Sequence, residues 1–192
     1  MAPKPRFAYR LGWRSIKAVA PHLTPDQART VAGALGPAFQ QYGIATRKRA
    51  AAAVAQFAHE SAGFRTTTEF ATGAQYEGRK DLGNTRPGDG VRFKGRGYIQ
   101  ITGRVGYANA GRALGHDFIR SPQDLALPRW AARASCQWWS SHGCSQLADA
   151  GDFVALTRRI NGGIRGLEDR ERYWRRAKLV SPFLVPKRRK PS

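Results

Sequence analysis

The sequence predicts a mainly α-helical domain interrupted by one long irregular segment, and three observations lead there. Thr24-Pro25-Asp26 and Thr46 are helix-start signals ahead of long runs without breakers. The block Arg47 to Ser61 is alanine-rich, with high helix propensity, and gathers Ala50, Ala51, Val54, Phe57 and Ala58 on one face. From Phe64 to Gly97, by contrast, repeated glycines and Pro87 exclude long regular elements and leave a loop with room for a small hairpin.

Taken in order, residues 1–12 read as a basic, extended arm, and Trp13 to Ala20 as a first helix. A capped amphipathic helix runs from Pro25 to about Leu35, where Gly36-Pro37 should break it, and a short helix follows from Ala38 to Tyr42. Thr46 caps the alanine-rich helix, and Gly63 stops the chain beyond it. Arg96 to Thr102 fits a short strand or a helix entry equally well. Ala108 to Leu114 reads as helix with Gly115 as its stop, and Ser121 to Asp124 as a capped turn. Further helices are expected over Arg129 to Ser140, Phe153 to Ile160 and Glu168 to Leu179. Residues 13–180 then form one domain and 181–192 a basic, solvated tail.

A chain of 192 residues suffices for one domain with a real core. Apolar residues make up 41% and charged residues 24%, which excludes wholesale disorder. The formal charge of +20 draws the protein to polyanions: nucleic acid, acidic lipid, or an anionic bacterial envelope. Cys136 and Cys144 are too few for a disulfide framework and are expected as free buried thiols. No apolar run reaches signal-peptide or transmembrane length, so synthesis in the cytoplasm is expected, with release by another route.

Against 33 Lys plus Arg stand only 13 Asp plus Glu, yet Glu60, Glu69 and Glu77 fall within eighteen consecutive residues. General acid/base work on a glycosidic bond explains such a cluster: one carboxyl protonates the leaving oxygen while a second, about 6.5–9.5 Å away, activates water. Glu60 lies in the last turn of its helix, where the helix dipole disfavours a carboxylate and would help keep it protonated. His59-Glu60 lacks the second histidine four residues on that a zinc site needs, since Gly63 stands there, so no metal is expected and His59 reads as structural. Ser61 next to His59 does not make a nucleophilic triad. Glu77 reads as a loop-holding residue paired with Arg79 or Arg96, and Trp138 and Trp139 as core and rim.

The stretches AHESAGF (58–64), YEGRKDLGN (76–84), PGDG (87–90), GRGYIQITGR (95–104) and RINGG (159–163) together resemble the family 19 glycoside hydrolases. That group is chitinase-like, has a lysozyme-like fold and includes phage endolysins; the phage and bacterial branch is the closer one. The resemblance implies a two-lobed helical domain with a small loop or hairpin region lining a substrate cleft. It implies Glu60 as general acid and Glu69 as the carboxylate that deprotonates water, with Glu77 a competitor because the long loop of plant enzymes is absent. It further implies Thr102 as a water-positioning residue, Gln100, Asn161 and Tyr107 as sugar contacts, and Arg170 as a tuner of the acid. The expected activity is inverting cleavage of a β-1,4-linked N-acetylglucosamine-containing polymer, without a cofactor.

Chitin is neutral and gains little from a +20 enzyme, so peptidoglycan within an anionic bacterial envelope is the expected partner, as for an endolysin-like muramidase. A chitinase is the alternative. A basic nucleic-acid- or membrane-binding protein is the alternative of another class; it leaves the acid cluster unexplained, and no nucleic-acid partner is expected. Nothing in the chain demands more than a monomer.

Overall fold

The computed structural model describes residues 9–185 together with 187 and 188. Ten helices account for most of these residues: α1 (Trp13–Val19), α2 (Pro25–Gln41), α3 (Arg47–Glu60), α4 (Asp89–Arg92), α5 (Gly103–Leu114), α6 (Pro128–Ser141), α7 (Cys144–Ala150), α8 (Phe153–Asn161), α9 (Leu167–Leu179) and α10 (Ser181–Leu184). Two two-residue strands, β1 (Tyr9–Arg10) and β2 (Lys187–Arg188), pair antiparallel.

The helix α3 organises the rest. Its cap is as expected, with the Thr46 hydroxyl accepting the Arg49 N–H at 3.2 Å. The predicted apolar face understates it, because all nine residues from Ala50 to Ala58 are buried. Small side chains on every side let neighbouring helices approach, and α9 packs most extensively against it.

Gly36-Pro37 does not break α2, contrary to expectation. Pro37 and Gly33, the residue whose carbonyl loses its partner, are both exposed, so water can satisfy that carbonyl. The penalty of about 3 kcal/mol for an interior proline is outweighed by buried Leu35, Ala38 and Phe39, of which each large side chain contributes about 1.5–3 kcal/mol. The start is a full capping box, Thr24 with Gln27.

Four further differences concern local order. The helix α5 starts at Gly103, five residues before the expected Ala108; its glycines lower the propensity, and burial of Tyr107, Ala110 and Leu114 fixes it. The short helices α7 and α10 were not expected. The irregular segment forms no hairpin, only the isolated bridges Thr68 with Arg96 and Arg96 with Ile101. Residues 181–185 are not a free tail: Leu184 is buried, and the Gly12 N–H donates to the Phe183 carbonyl at 2.9 Å. The expected arm and tail thus meet at β1 and β2, while residues 1–8, 186 and 189–192 lie outside the described part.

Two apolar clusters form the core. The larger surrounds α3; the smaller gathers Phe93, Tyr107, Leu114, Phe118, Leu125 and Trp130. The helix α6 serves both, giving Trp130 and Ala134 to the small lobe and Ala132, Cys136 and Trp139 to the large one. Cys136 and Cys144 are free and buried; burial pushes the Cys136 thiol up and that of Cys144 to about 12. No described helix is long and apolar enough to cross a membrane.

Candidate active site

Glu60 is the last residue of α3, and the chain reverses immediately after it. Ala62, Gly63 and Phe64 take φ of 51°, 73° and 64°, a left-handed run that two of the three residues adopt at a cost. Ser61 holds the reversal: its hydroxyl donates to the Phe57 carbonyl (2.6 Å) and accepts the Phe64 N–H (3.1 Å). Burial of Phe64, edge-on to Tyr98 at 5.3 Å, supplies compensation. Ser61 is therefore a turn residue.

Arg170 of α9 is 1% exposed and places its guanidinium against the Glu60 carboxylate. The same group donates to Gln56 Oε1 at 2.5 Å and to the Arg165 carbonyl at 3.3 Å. Gln56 in turn donates to the Thr157 hydroxyl at 2.9 Å. A buried fork satisfied on each arm is rigid, so Glu60 has one orientation. One residue earlier, His59 Nδ1 meets Asp169 at 2.7 Å, a second tie between α3 and α9. Gln56 escaped the sequence reading, although a lone amide in an alanine-rich helix, four residues before Glu60 on the same face, was the signal for it.

Glu69 is fixed by the irregular segment. Its Oε2 accepts the Gly95 N–H at 2.6 Å, its Oε1 accepts from Gln75 at 3.0 Å, and its own N–H donates to the Gly95 carbonyl at 2.9 Å. A Cβ on Gly95 would come within 2.7 Å of Oε2 and 2.8 Å of Gln100 Oε1, so only glycine permits this approach. Glu77 has other work: its two oxygens accept the N–H groups of Gly88 (2.7 Å) and Gly90 (2.8 Å). It holds the loop, but not through the expected arginines. Arg79 pairs with Asp81, and Arg96 bonds to Tyr107 and the Arg92 carbonyl.

Between the lobes lies a cleft of about 450 Å³ lined by Gln100, Thr102, Asn109, Gln137, Trp138 and His142 among others. Gln100 sits at φ 55° with its amide on the Gly97 carbonyl (2.8 Å), and the Thr102 hydroxyl donates to the Gln100 carbonyl (2.8 Å). Trp138 stacks on His142 with ring centres 3.8 Å apart, whereas Trp139 is fully buried. Asn161 is exposed at the end of α8, next to Ile160 of the cleft wall.

Tyr107 corrects the expectation of a sugar contact. It is fully buried, its hydroxyl donating to the Lys94 carbonyl and accepting from Arg96, both at 2.6 Å. Burial pushes its phenol up to about 12. Its aromatic ring belongs to the small lobe's core, so Tyr107 positions Arg96 and Lys94 instead of touching substrate. Among the described residues, no group of three or more His, Cys, Asp or Glu is arranged to hold a metal ion.

Two helical lobes thus flank the cleft, with Glu60 and Glu69 outside the residues that line it, and the mainly helical fold is the lysozyme-like one of its structural neighbours. No protein-family model matches the chain. A glycosyl hydrolase family 19 domain-containing protein of Haemophilus influenzae is 28% identical over 184 residues, covering 80% of this chain and 90% of that protein. An endochitinase of Arabidopsis thaliana is 35% identical over 121 residues, 63% of this chain but 42% of the relative, so the chain spans under half of that plant protein. Among solved structures, chitinase C from Streptomyces griseus superposes with a TM-score of 0.71 at 18% identity, covering 92% and 95% of the two chains. A bacterial family 19 chitinase gives 0.72 at 18%, covering 89% and 94%. Its sequence relatives and structural neighbours include family 19 glycoside hydrolases and chitinases, and its mainly helical fold matches theirs.

Proposed function

We propose that the protein is a peptidoglycan hydrolase, an endolysin-like muramidase that cuts β-1,4 glycosidic bonds with inversion. Glu60 delivers a proton to the glycosidic oxygen, and Arg170 stabilises the carboxylate that remains. Glu69, whose partners are neutral N–H groups, takes a proton from the water that attacks the opposite face, and the Thr102 hydroxyl of the cleft wall orients that water. Gln100 and Asn161 supply polar contacts for N-acetyl sugars along the cleft. The observation that carries the hydrolytic part is the Glu60–Arg170–Gln56 clamp, in which a buried guanidinium fixes a part-exposed carboxylate at the end of α3.

The choice of peptidoglycan rests on charge. A formal charge of +20 concentrates the enzyme on an anionic wall and does little for neutral chitin. A chitinase is the second reading, favoured by relatives whose names are endochitinases. Mass spectrometry of digests of purified peptidoglycan and of chitin hexamer decides between them. Muropeptides with a reducing N-acetylmuramic end, absent with Glu60→Gln, are the expected result. Chitin fragments without muropeptides would make the protein a chitinase, and cleavage of neither would leave a basic binding protein.

A further inference from the structure

A second hollow, of about 880 Å³, opens on the small lobe between residues 86–92, the stretch from Arg96 to Arg104, and residues 117–122. Five arginines line it, Arg86, Arg92, Arg96, Arg104 and Arg120, against two carboxylates, Asp89 and Asp117. Asp89 is buried and committed to Arg104, with Arg104 Nε 2.9 Å from Oδ2. Asp117 is exposed and accepts the backbone N–H groups of Ile119 and Arg120 at 3.0 Å each.

The remaining arginines keep their charge. Arg92 donates to the carbonyls of Ile119 (2.9 Å) and Arg120 (3.2 Å), and Arg96 to the Arg92 carbonyl (2.9 Å) and the Tyr107 hydroxyl (2.6 Å). Such bonds fix a guanidinium in place without neutralising it, unlike the pairs Arg49–Asp149 or Arg79–Asp81 elsewhere on the surface. Arg86 and Arg120 are exposed, and neither side chain has a hydrogen-bond or carboxylate partner among the described residues. The hollow is thus a preformed cationic groove with open donors.

Its position adjoins the cleft. The Arg96 N–H donates to the Ile101 carbonyl at 3.1 Å and the Ile101 N–H returns to Arg96 at 2.8 Å, so one bridge forms part of both walls. We propose that this groove docks the acidic stem peptide of the wall polymer whose glycan strand occupies the cleft, its guanidinium groups receiving the peptide carboxylates. The proposal rests on the peptidoglycan reading. The groove suits a short acidic peptide better than a long phosphodiester chain, because Val91, Ile119 and Pro122 interleave apolar surface with the arginines.

The test is sedimentation with purified sacculi, in the Glu60→Gln background so that nothing is cut. The double variant Arg86→Ala/Arg120→Ala is compared on intact sacculi and, by binding to immobilised strands, on the glycan that an amidase frees of stem peptides. Both side chains are exposed, so folding should be untouched, and a thermal melt checks this. Expected is an affinity loss of about 5–30-fold on intact sacculi, shrinking with salt, and no loss on stripped glycan. With Glu60 restored, KM on peptidoglycan should rise while kcat holds.

Equal losses on both substrates, or none on either, overturn the proposal. So does a loss that disappears when phosphate-bearing polymers are removed with hydrofluoric acid while the stem peptides remain. If the wild-type chain cuts no peptidoglycan and the double variant still loses affinity for intact sacculi only, the hydrolase reading fails and the groove stands. If the chain cuts peptidoglycan and the variant binds unchanged, the groove alone fails.

Discussion

Replacing Arg170 by methionine tests the clamp that sets Glu60. The side chain is 1% exposed and bonds to a carboxylate, an amide oxygen and a backbone carbonyl. Methionine fills much of the volume but strands Gln56 Oε1 and leaves Glu60 without its counter-charge. Removing one partner of a buried pair costs about 3–5 kcal/mol; Glu60 keeps 19% exposure and can recover some hydration, which places the effect at the lower end. At about 2–4 °C per kcal/mol for a domain of this size, the melting temperature should fall by roughly 6–15 °C. A double-mutant cycle with Glu60→Gln isolates the pair and should return a coupling of about 1.5–3 kcal/mol, the range for hydrogen bonds to charged groups. Chemical denaturation of the four proteins measures it. A loss below about 1 kcal/mol for Arg170→Met, or additivity in the cycle, would show that the clamp does not hold Glu60.

Three further outcomes follow from the same geometry. Glu69→Gln should lower turnover by about 10²–10⁴-fold, whereas Glu77→Gln should lower stability by about 1 kcal/mol and keep turnover within about tenfold; steady-state rates and melts on both separate the two carboxylates. Gly95→Ala pushes a methyl group onto Glu69 Oε2 and Gln100 Oε1, both ends of flexible side chains, so activity should drop while the melting temperature moves little. Arg104 holds the Asp89 carboxyl below its ordinary value of 3.8. The unfolded chain therefore binds more protons, and this pair's contribution is complete above that value and fades as pH falls through the depressed one. Melts from pH 6 to 2 should show the stability gap between the wild type and Asp89→Asn narrowing as the acid limb is reached.

Much of the helical frame was legible because it is written locally. Thr24 with Gln27 and Thr46 with Arg49 are side-chain caps on nearby backbone, and the alanine run between them and Glu60 carries its own propensity. What escaped depends on contacts distant in sequence. Pro37 stays helical because Leu35, Ala38 and Phe39 are held by the core, and α5 begins early because Tyr107 and Leu114 are buried. The carboxylate cluster pointed to Glu60 and Glu69, and the family resemblance led to Arg170, which the fold places on Glu60. Neither could foresee that Tyr107 faces inward, since its aromatic ring satisfies a core position and a cleft position equally well until the small lobe is assembled. The pairing of Tyr9–Arg10 with Lys187–Arg188 joins segments nearly the whole chain apart and has no local signal.

The most direct measurement of the central claim is the anomeric form of the first product. Proton NMR during the first minutes of hydrolysis of a soluble β-1,4-linked N-acetyl sugar oligomer distinguishes the two courses before mutarotation erases them. Water activated by Glu69 while Glu60 protonates the leaving oxygen predicts that the α-anomer appears first. Initial release of the β-anomer would contradict that account, because retention requires a covalent or substrate-assisted intermediate in place of direct attack by water.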